Sequence, residues 1–267
     1  MTAAPSDKAA ERGEPSYVWR SGQDRRLGMV LGAVGSLAEA RVLDDGCGVG
    51  TYVRRLSEIA REVYGLDYER ERVVEAARRL GRPGLVCGAG EDLPFRDAVF
   101  DLVLSNEVIE HVRDDRAAVA EMVRVARPGG RIVIFCPNRW YPVEQHGVYW
   151  RGRYHFGNVP LVNYLPGRLR NRLAPHVRAY TRRNLLALFD GLPVRVVHHT
   201  VIFGGYDNLA YRFGPLGRII QRTTQALERT RLRTLGLSHF VVLERGMFVA
   251  AVETVGARGD SPRTSEG

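Results

Sequence analysis

The residues best suited to chemistry occupy positions 41–51, Arg-Val-Leu-Asp-Asp-Gly-Cys-Gly-Val-Gly-Thr. Val42 and Leu43 have the character of a buried strand end, and Asp44 and Asp45 offer acceptors at its carboxyl tip. Gly46, Gly48 and Gly50 then form a turn that can approach a ligand closely. A dinucleotide-binding turn needs a third glycine after two intervening residues, where pyrophosphate meets a helix N-terminus; Thr51 stands there instead. An acid ahead of such a turn suits a phosphate poorly and suits an ammonium or sulfonium group well. Asp67 lies about twenty positions past the turn, where a carboxylate can accept from two ribose hydroxyls. The alternative for Asp67 is a cap on the helix that follows.

These residues need a strand, a turn and a helix behind them. Val53, Leu56, Ile59, Ala60 and Val63 recur at helical spacing after the turn. A short helix over residues 27–37 leads in, preceded by Tyr17 and Trp19. Further strands are expected at 62–66, 85–87, 100–106 and 131–136, with Asp114 or Asp115 starting a helix that the Arg127-Pro-Gly-Gly130 stop ends. A helix at 181–189, a strand at 194–203 and a last, antiparallel strand at 247–253 complete the set.

The stretch from Val42 to Gly50 resembles the first motif of the class I S-adenosylmethionine-dependent methyltransferases, in particular the group with a methyltransferase type 11-like domain. Gly88-Ala-Gly-Glu-Asp-Leu-Pro-Phe95 resembles the adenine loop of that family, with Ala89 where an acid is usual, which leaves Gly90 and Glu91 to read the base. Asn106-Glu-Val-Ile-Glu-His-Val112 resembles the segment beside the sulfonium. The resemblance covers about residues 28–138 and implies an α/β fold. That fold is a Rossmann-like, doubly wound, seven-stranded and mostly parallel sheet with an antiparallel last strand, here with a cap from two insertions. It implies S-adenosyl-L-methionine as cofactor, bound by Asp44, Gly46, Cys47, Gly48, Gly50, Asp67, Tyr68, Gly90, Glu91 and Asn106. Glu107, Glu110 and His111 resemble the acid-acid-histidine set of metal-assisted quinone O-methyltransferases. Relatives without a metal share the motif, so no metal site is assigned.

The insertions, residues 139–180 and 204–239, leave the carboxyl ends of parallel strands, where open α/β sheets bind ligands. The first interleaves Trp140, Tyr141, Tyr149, Trp150, Tyr154, Phe156 and Tyr164 with Arg139, Arg151, Arg153, Arg168, Arg170 and Arg172. Such a mixture suits a small-molecule pocket, a nucleic acid, an anionic membrane surface or simply a mini-core for the cap. Methyl transfer to a hydroxyl needs a base, and seven histidines compete. His146 follows the fifth strand with Glu144 near enough to orient it, so this pair is the expected catalytic set.

The 267 residues allow one large domain, residues 16–256, between tails at 1–15 and 257–267 whose small and polar composition predicts disorder. The net charge of +9 rests almost wholly on arginine, Lys8 being the only lysine; a general arginine bias accounts for it without nucleic acid. Three scattered cysteines, no signal-like apolar stretch and no membrane-length run predict a cytoplasmic protein. The expected activity is methyl transfer to a small or lipid-linked acceptor, at oxygen, with peripheral membrane contact left open. RNA methylation and non-catalytic binding of S-adenosylmethionine are the alternatives.

Overall fold

A computed structural model describes residues 17–82 and 84–247. Its central sheet has seven strands in the order β10-β11-β5-β4-β1-β2-β3. These are β1 (Arg41–Asp45), β2 (Glu62–Asp67), β3 (Leu85–Cys87), β4 (Phe100–Asn106), β5 (Ala126–Pro137), β10 (Val194–Ile202) and β11 (Ser238–Arg245). The pairs among β1 to β5 are parallel, and β11 runs antiparallel to both of its neighbours. Helices cover both faces, so the inner strands are apolar on both sides rather than alternating. In β5, Ile132, Ile134 and Cys136 face one core with α4 (Asp115–Val125) and α6 (Arg182–Ala187). Val133 and Phe135 face the other, with α1 (Ser21–Val34) and α2 (Thr51–Ser57). This is the doubly wound, mostly parallel sheet expected from the sequence.

Two element boundaries differ from expectation. The lead-in helix begins at Ser21, earlier than the apolar spacing from Leu27 indicates, because its first turn docks on the second insertion: Asp207 accepts from the Gly22 backbone and the Ser21 hydroxyl. Among the described residues the last strand is Ser238–Arg245, earlier than the 247–253 expected, most of which lies outside the described residues. Two apolar runs, 240–243 and 247–251, follow one another, and composition alone does not choose between them. Position in the sheet does. Glu244 pairs with Arg131 of β5 at 2.7 Å and with Arg195 of β10 at 3.1 Å, fixing the register on both sides. Met247 is 81% exposed, and 248–253 lies outside the described residues, as do the expected tails.

The first insertion is pinched at its base, where the Arg139 N–H donates to Tyr180 O at 2.8 Å. It holds two ribbons, β6 (Val143–Glu144) with β9 (Val159–Pro160) and β7 (Val148–Trp150) with β8 (Arg153–His155), then α5 (Gly167–Leu173). The second holds α7 (Asp207–Leu227), broken at Gly214 ahead of Pro215, and a 3-10 turn over Arg231–Leu235. It ends at Leu237, before β11. Asn138 joins the insertions, its side-chain amide donating to Thr234 O and Gly236 O.

Candidate active site

The glycine turn leaves β1 with Gly46, Gly48 and Gly50 all at positive φ, a conformation that side chains resist. At Gly46 a Cβ would also stand 2.2 Å from a methyl of Val108, so the turn is pressed against the segment after β4. Gly50 serves packing: its missing Cβ makes room for Leu80 and Ala76 of α3 (Arg70–Leu80). Asp67, at the tip of β2, holds the turn from the next strand. Its carboxylate accepts from the Gly48 N–H at 2.9 Å and from the Glu69 N–H at 2.9 Å. The N-cap of the following helix is Glu69 and not Asp67, which accepts from the backbone of that cap residue.

Beside this turn opens a cavity of about 920 Å³. Gly46, Asp67, Tyr68, Gly90 and Glu91 of the expected cofactor set line it; Asp44, Cys47, Gly48, Gly50 and Asn106 do not. Asp45 lines it where the sequence reading favoured Asp44. Adjacent strand residues face opposite sides, and here the second acid is the one that meets the cavity. Both oxygens of Asp45 are buried without a hydrogen-bond donor among the described residues, and a Cβ on Gly90 would lie 3.5 Å from one of them. Burial, with the charges of Asp67 and Glu91, raises the Asp45 carboxyl to about 7. Burial and the carboxylates of Asp45 and Asp67 likewise push Asp44 well up. Asp45 and Asp67 thus meet on the wall of a cavity that Arg72, Arg113 and Arg178 also line, and Asp45 has no donor of its own, a lack that a cationic ligand would make good. Those orphaned oxygens fit a sulfonium cofactor.

Glu91 has a second duty. One of its oxygens accepts from the Arg113 and Asp114 backbone at 2.6 and 3.3 Å, tying the adenine-loop segment to the start of α4, where Asp114 is the cap.

At the end of β4 stands Arg26 of α1. It donates to Asn106 Oδ1 at 2.6 Å, pairs with Glu107 at 2.7 Å and stacks over Phe135. Asn106 is therefore held by this arginine and lines a separate cavity of about 200 Å³. Glu107 sits at φ 58, strained backbone where the chain leaves the strand. Burial raises its carboxyl, but Arg26, the Ser238 hydroxyl and His146 outweigh burial and hold it low. Glu110 goes the other way: burial and Glu107 raise it well above the usual carboxylate range, and its buried oxygens have no donor among the described residues.

His146 and Glu144 come together as expected. Glu144 Oε1 accepts from the His146 backbone at 3.0 Å and lies 2.8 Å from Nδ1. Its other oxygen accepts from Arg170 at 2.8 Å, and Arg170, 2% exposed, also donates to Ala174 O and Val177 O. Burial raises Glu144, yet His146 and Arg170 bring it down to about 2. The sequence placed Arg170 among ligand-binding arginines; it is instead the buried anchor of this carboxylate, a role that α5 makes visible only once it folds back on β6. Trp150 and Phe156 are exposed and do not line the 920 Å³ cavity.

The His146 ring lies edge-on to His111, centroids 5.4 Å apart, and His111 lines the cavity. Burial and His146 lower His111 to about 4. His176, not expected at the site, also lines the cavity and lies 3.0 Å from His146 O. Glu110, His111 and His146 each bring a metal-ligating atom to within 4.8 Å of the others. This trio differs from the one in the sequence motif because Glu107 is taken by Arg26.

Residues 43–134 match the model of a methyltransferase domain. A probable S-adenosylmethionine-dependent methyltransferase of Mycolicibacterium smegmatis is 40% identical over 98 residues, 37% of this chain and 38% of that protein. A demethylmenaquinone methyltransferase of Beutenbergia cavernae is 36% identical over 122 residues, 45% of this chain and 51% of its own. The chain spans about half or less of these curated relatives. An S-adenosylmethionine-dependent methyltransferase structure from Mesorhizobium loti superposes with a TM-score of 0.58 at 21% identity, covering 82% of this chain and 96% of the other. The fold is that of a Rossmann-like α/β methyltransferase domain. Residues 43–134 thus match a methyltransferase domain of the S-adenosylmethionine-dependent kind, and S-adenosyl-L-methionine is the cofactor that this match implies for the domain.

Proposed function

We propose that the chain moves the methyl group of S-adenosylmethionine to a hydroxyl of a small or lipid-linked acceptor in the cytoplasm, with His146 as general base. Bound S-adenosylmethionine would supply an electrophilic methyl on sulfur. Asp45, Gly46, Asp67, Tyr68, Gly90 and Glu91 would hold it from the cavity wall, with Gly48 and Gly50 shaping the turn and Asp44 and Cys47 packed behind. Facing that methyl, the acceptor hydroxyl would give up its proton to His146 Nε2.

The observation that carries this reading is the buried relay Arg170–Glu144–His146. A carboxylate kept ionised on Nδ1 fixes the ring and favours Nε2 as the proton acceptor. His111, lowered to about 4 by burial and His146, is a poor base near neutral pH. The demethylmenaquinone and malonyl-[acyl-carrier protein] methyltransferases among the relatives support a small or carrier-linked acceptor. Three free cysteines support a reducing compartment.

The test is turnover of His146→Gln, with EDTA present so that no cation on Glu110, His111 and His146 contributes. The expected loss is about 10²-fold or more in kcat, with S-adenosylmethionine affinity unchanged because His146 does not line the cofactor cavity. Unchanged turnover, or affinity lost in step with turnover, overturns the assignment.

A further inference from the structure

Helix α7 leaves the carboxyl end of β10 and turns one side inward. Gly217 is buried, the Gln221 side chain donates to Gly205 O, and Glu228 accepts from the Phe203 N–H and pairs with Arg25. The flank beside it carries Leu216, Ile219 and Ile220, 58%, 60% and 37% exposed, and the following turn adds Leu232 at 51%. Positions 216, 219 and 220 share one helical face. Isolated exposed leucines need no explanation, but a contiguous aliphatic strip does.

Charge divides the same way. Residues 207–235 hold two acids, Asp207 and Glu228, and both are bonded inward. Arg212, Arg218, Arg222, Arg229, Arg231 and Arg233 are all exposed, and among the described residues none makes an ion pair. We propose that this aliphatic strip with its arginine border is a docking face for an anionic lipid surface. Such a helix seats its apolar side at the boundary of headgroups and acyl chains while arginines meet the lipid phosphates. A second copy of the chain is a poor occupant, since two-fold pairing would set arginines against arginines. The rings exposed on the same helix, Tyr211 at 93% and Phe213 at 48%, lie ahead of the Gly214 break, and the strip itself is aliphatic, whereas single-stranded nucleic acid is held by rings that stack on its bases.

The face is joined to the proposed acceptor side. Tyr206, just before α7, has its hydroxyl 3.5 Å from that of Tyr141 in the first insertion. On the reading given above, a lipid-linked acceptor would reach the site from the membrane without leaving it. Docking itself does not depend on that reading, and its test does not involve turnover.

The test is co-sedimentation of the full chain with vesicles of phosphatidylcholine alone and of phosphatidylcholine mixed with phosphatidylglycerol. Binding is expected to the mixed vesicles, weakened by salt, and little to the neutral ones. Arg218→Gln with Arg222→Gln should lower affinity on the order of 25-fold, roughly fivefold for each arginine. Leu216→Ser with Ile219→Ser should remove binding while thermal unfolding and S-adenosylmethionine affinity stay unchanged, because both side chains point outward. No binding to anionic vesicles overturns the proposal, as does unaltered binding by either variant. A concentration-dependent dimer that the serine variant dissociates would assign the strip to a second copy. Tighter binding to an oligonucleotide than to vesicles, lost with the arginines, would assign it to nucleic acid.

Discussion

Asp45 shows how a single carboxyl links stability to ligand. Its pKa rises from an ordinary 3.8 to about 7, burial being the main cause and Asp67 and Glu91 the next. A folded-state pKa above the unfolded one means that the protonated form is favoured in the fold. The stability this contributes is complete below 3.8 and is lost as pH rises through about 7. The melting temperature of the ligand-free protein is therefore expected to fall across that window, and Asp45→Asn to flatten the fall by several degrees, at about 2–4 °C per kcal/mol for a domain of this size. S-adenosylmethionine, being cationic, should raise the melting point more above pH 7 than below it in the parent, and more evenly in Asp45→Asn. Scanning fluorimetry across pH measures both, and an identical slope in the variant would remove Asp45 from the cofactor site. The sequence made this pair of acids visible at once, since two aspartates at a strand tip are expensive to bury. Which of them meets the cavity depends on the phase of β1, and the glycine turn alone does not set it. Gly46, Asp67 and the His146–Glu144 pair were legible because local spacing carries them. Arg170 and His176 were not, because they reach the site only through the folding of α5 and the loop after it.

At the scale of elements, the first insertion behaves as a unit with a charged centre. Arg170 of α5 meets Glu144 of β6 and the carbonyls of Ala174 and Val177, so one guanidinium joins a helix, a ribbon and the loop that brings His176 to the cavity. Removing one partner from a buried ion pair leaves the other uncompensated and costs about 3–5 kcal/mol. Arg170→Leu is accordingly expected to lower the urea midpoint by that order of stability. It should also depress kcat through loss of the fixed Glu144–His146 geometry, with the affinity for S-adenosylmethionine little changed. Arg170→Leu in a Glu144→Gln background should cost much less than in the parent, because the orphaned charge is then gone. Additive losses in that double-mutant cycle would mean that Arg170 acts only by packing. None of this coupling is periodic in sequence. An arginine at position 170 among its neighbours Arg168 and Arg172 has no local mark of burial.

At the scale of the whole molecule, the sheet is closed by a strand that arrives last. β11 lies between β5 and β10, and without it β10 has no partner in the sheet. Phe240, Val241, Val242 and Leu243 are all buried there, two facing each core. At roughly 1.5–3 kcal/mol for each buried side chain, their loss approaches the entire stability of about 5–15 kcal/mol expected of a domain. A chain ending after Gly236 should therefore show no cooperative unfolding transition. A chain ending after Met247 keeps every strand described, together with the Glu244 pairs to Arg131 and Arg195. It should unfold cooperatively, with a melting temperature within a few degrees of the full chain. Had the closing strand been residues 247–253, as the second apolar run suggests, both truncations would destroy the transition. The comparison of the two truncations by thermal unfolding thus decides which run completes the sheet, and through it whether the site at the carboxyl ends of β1, β2 and β4 rests on a closed or a broken frame.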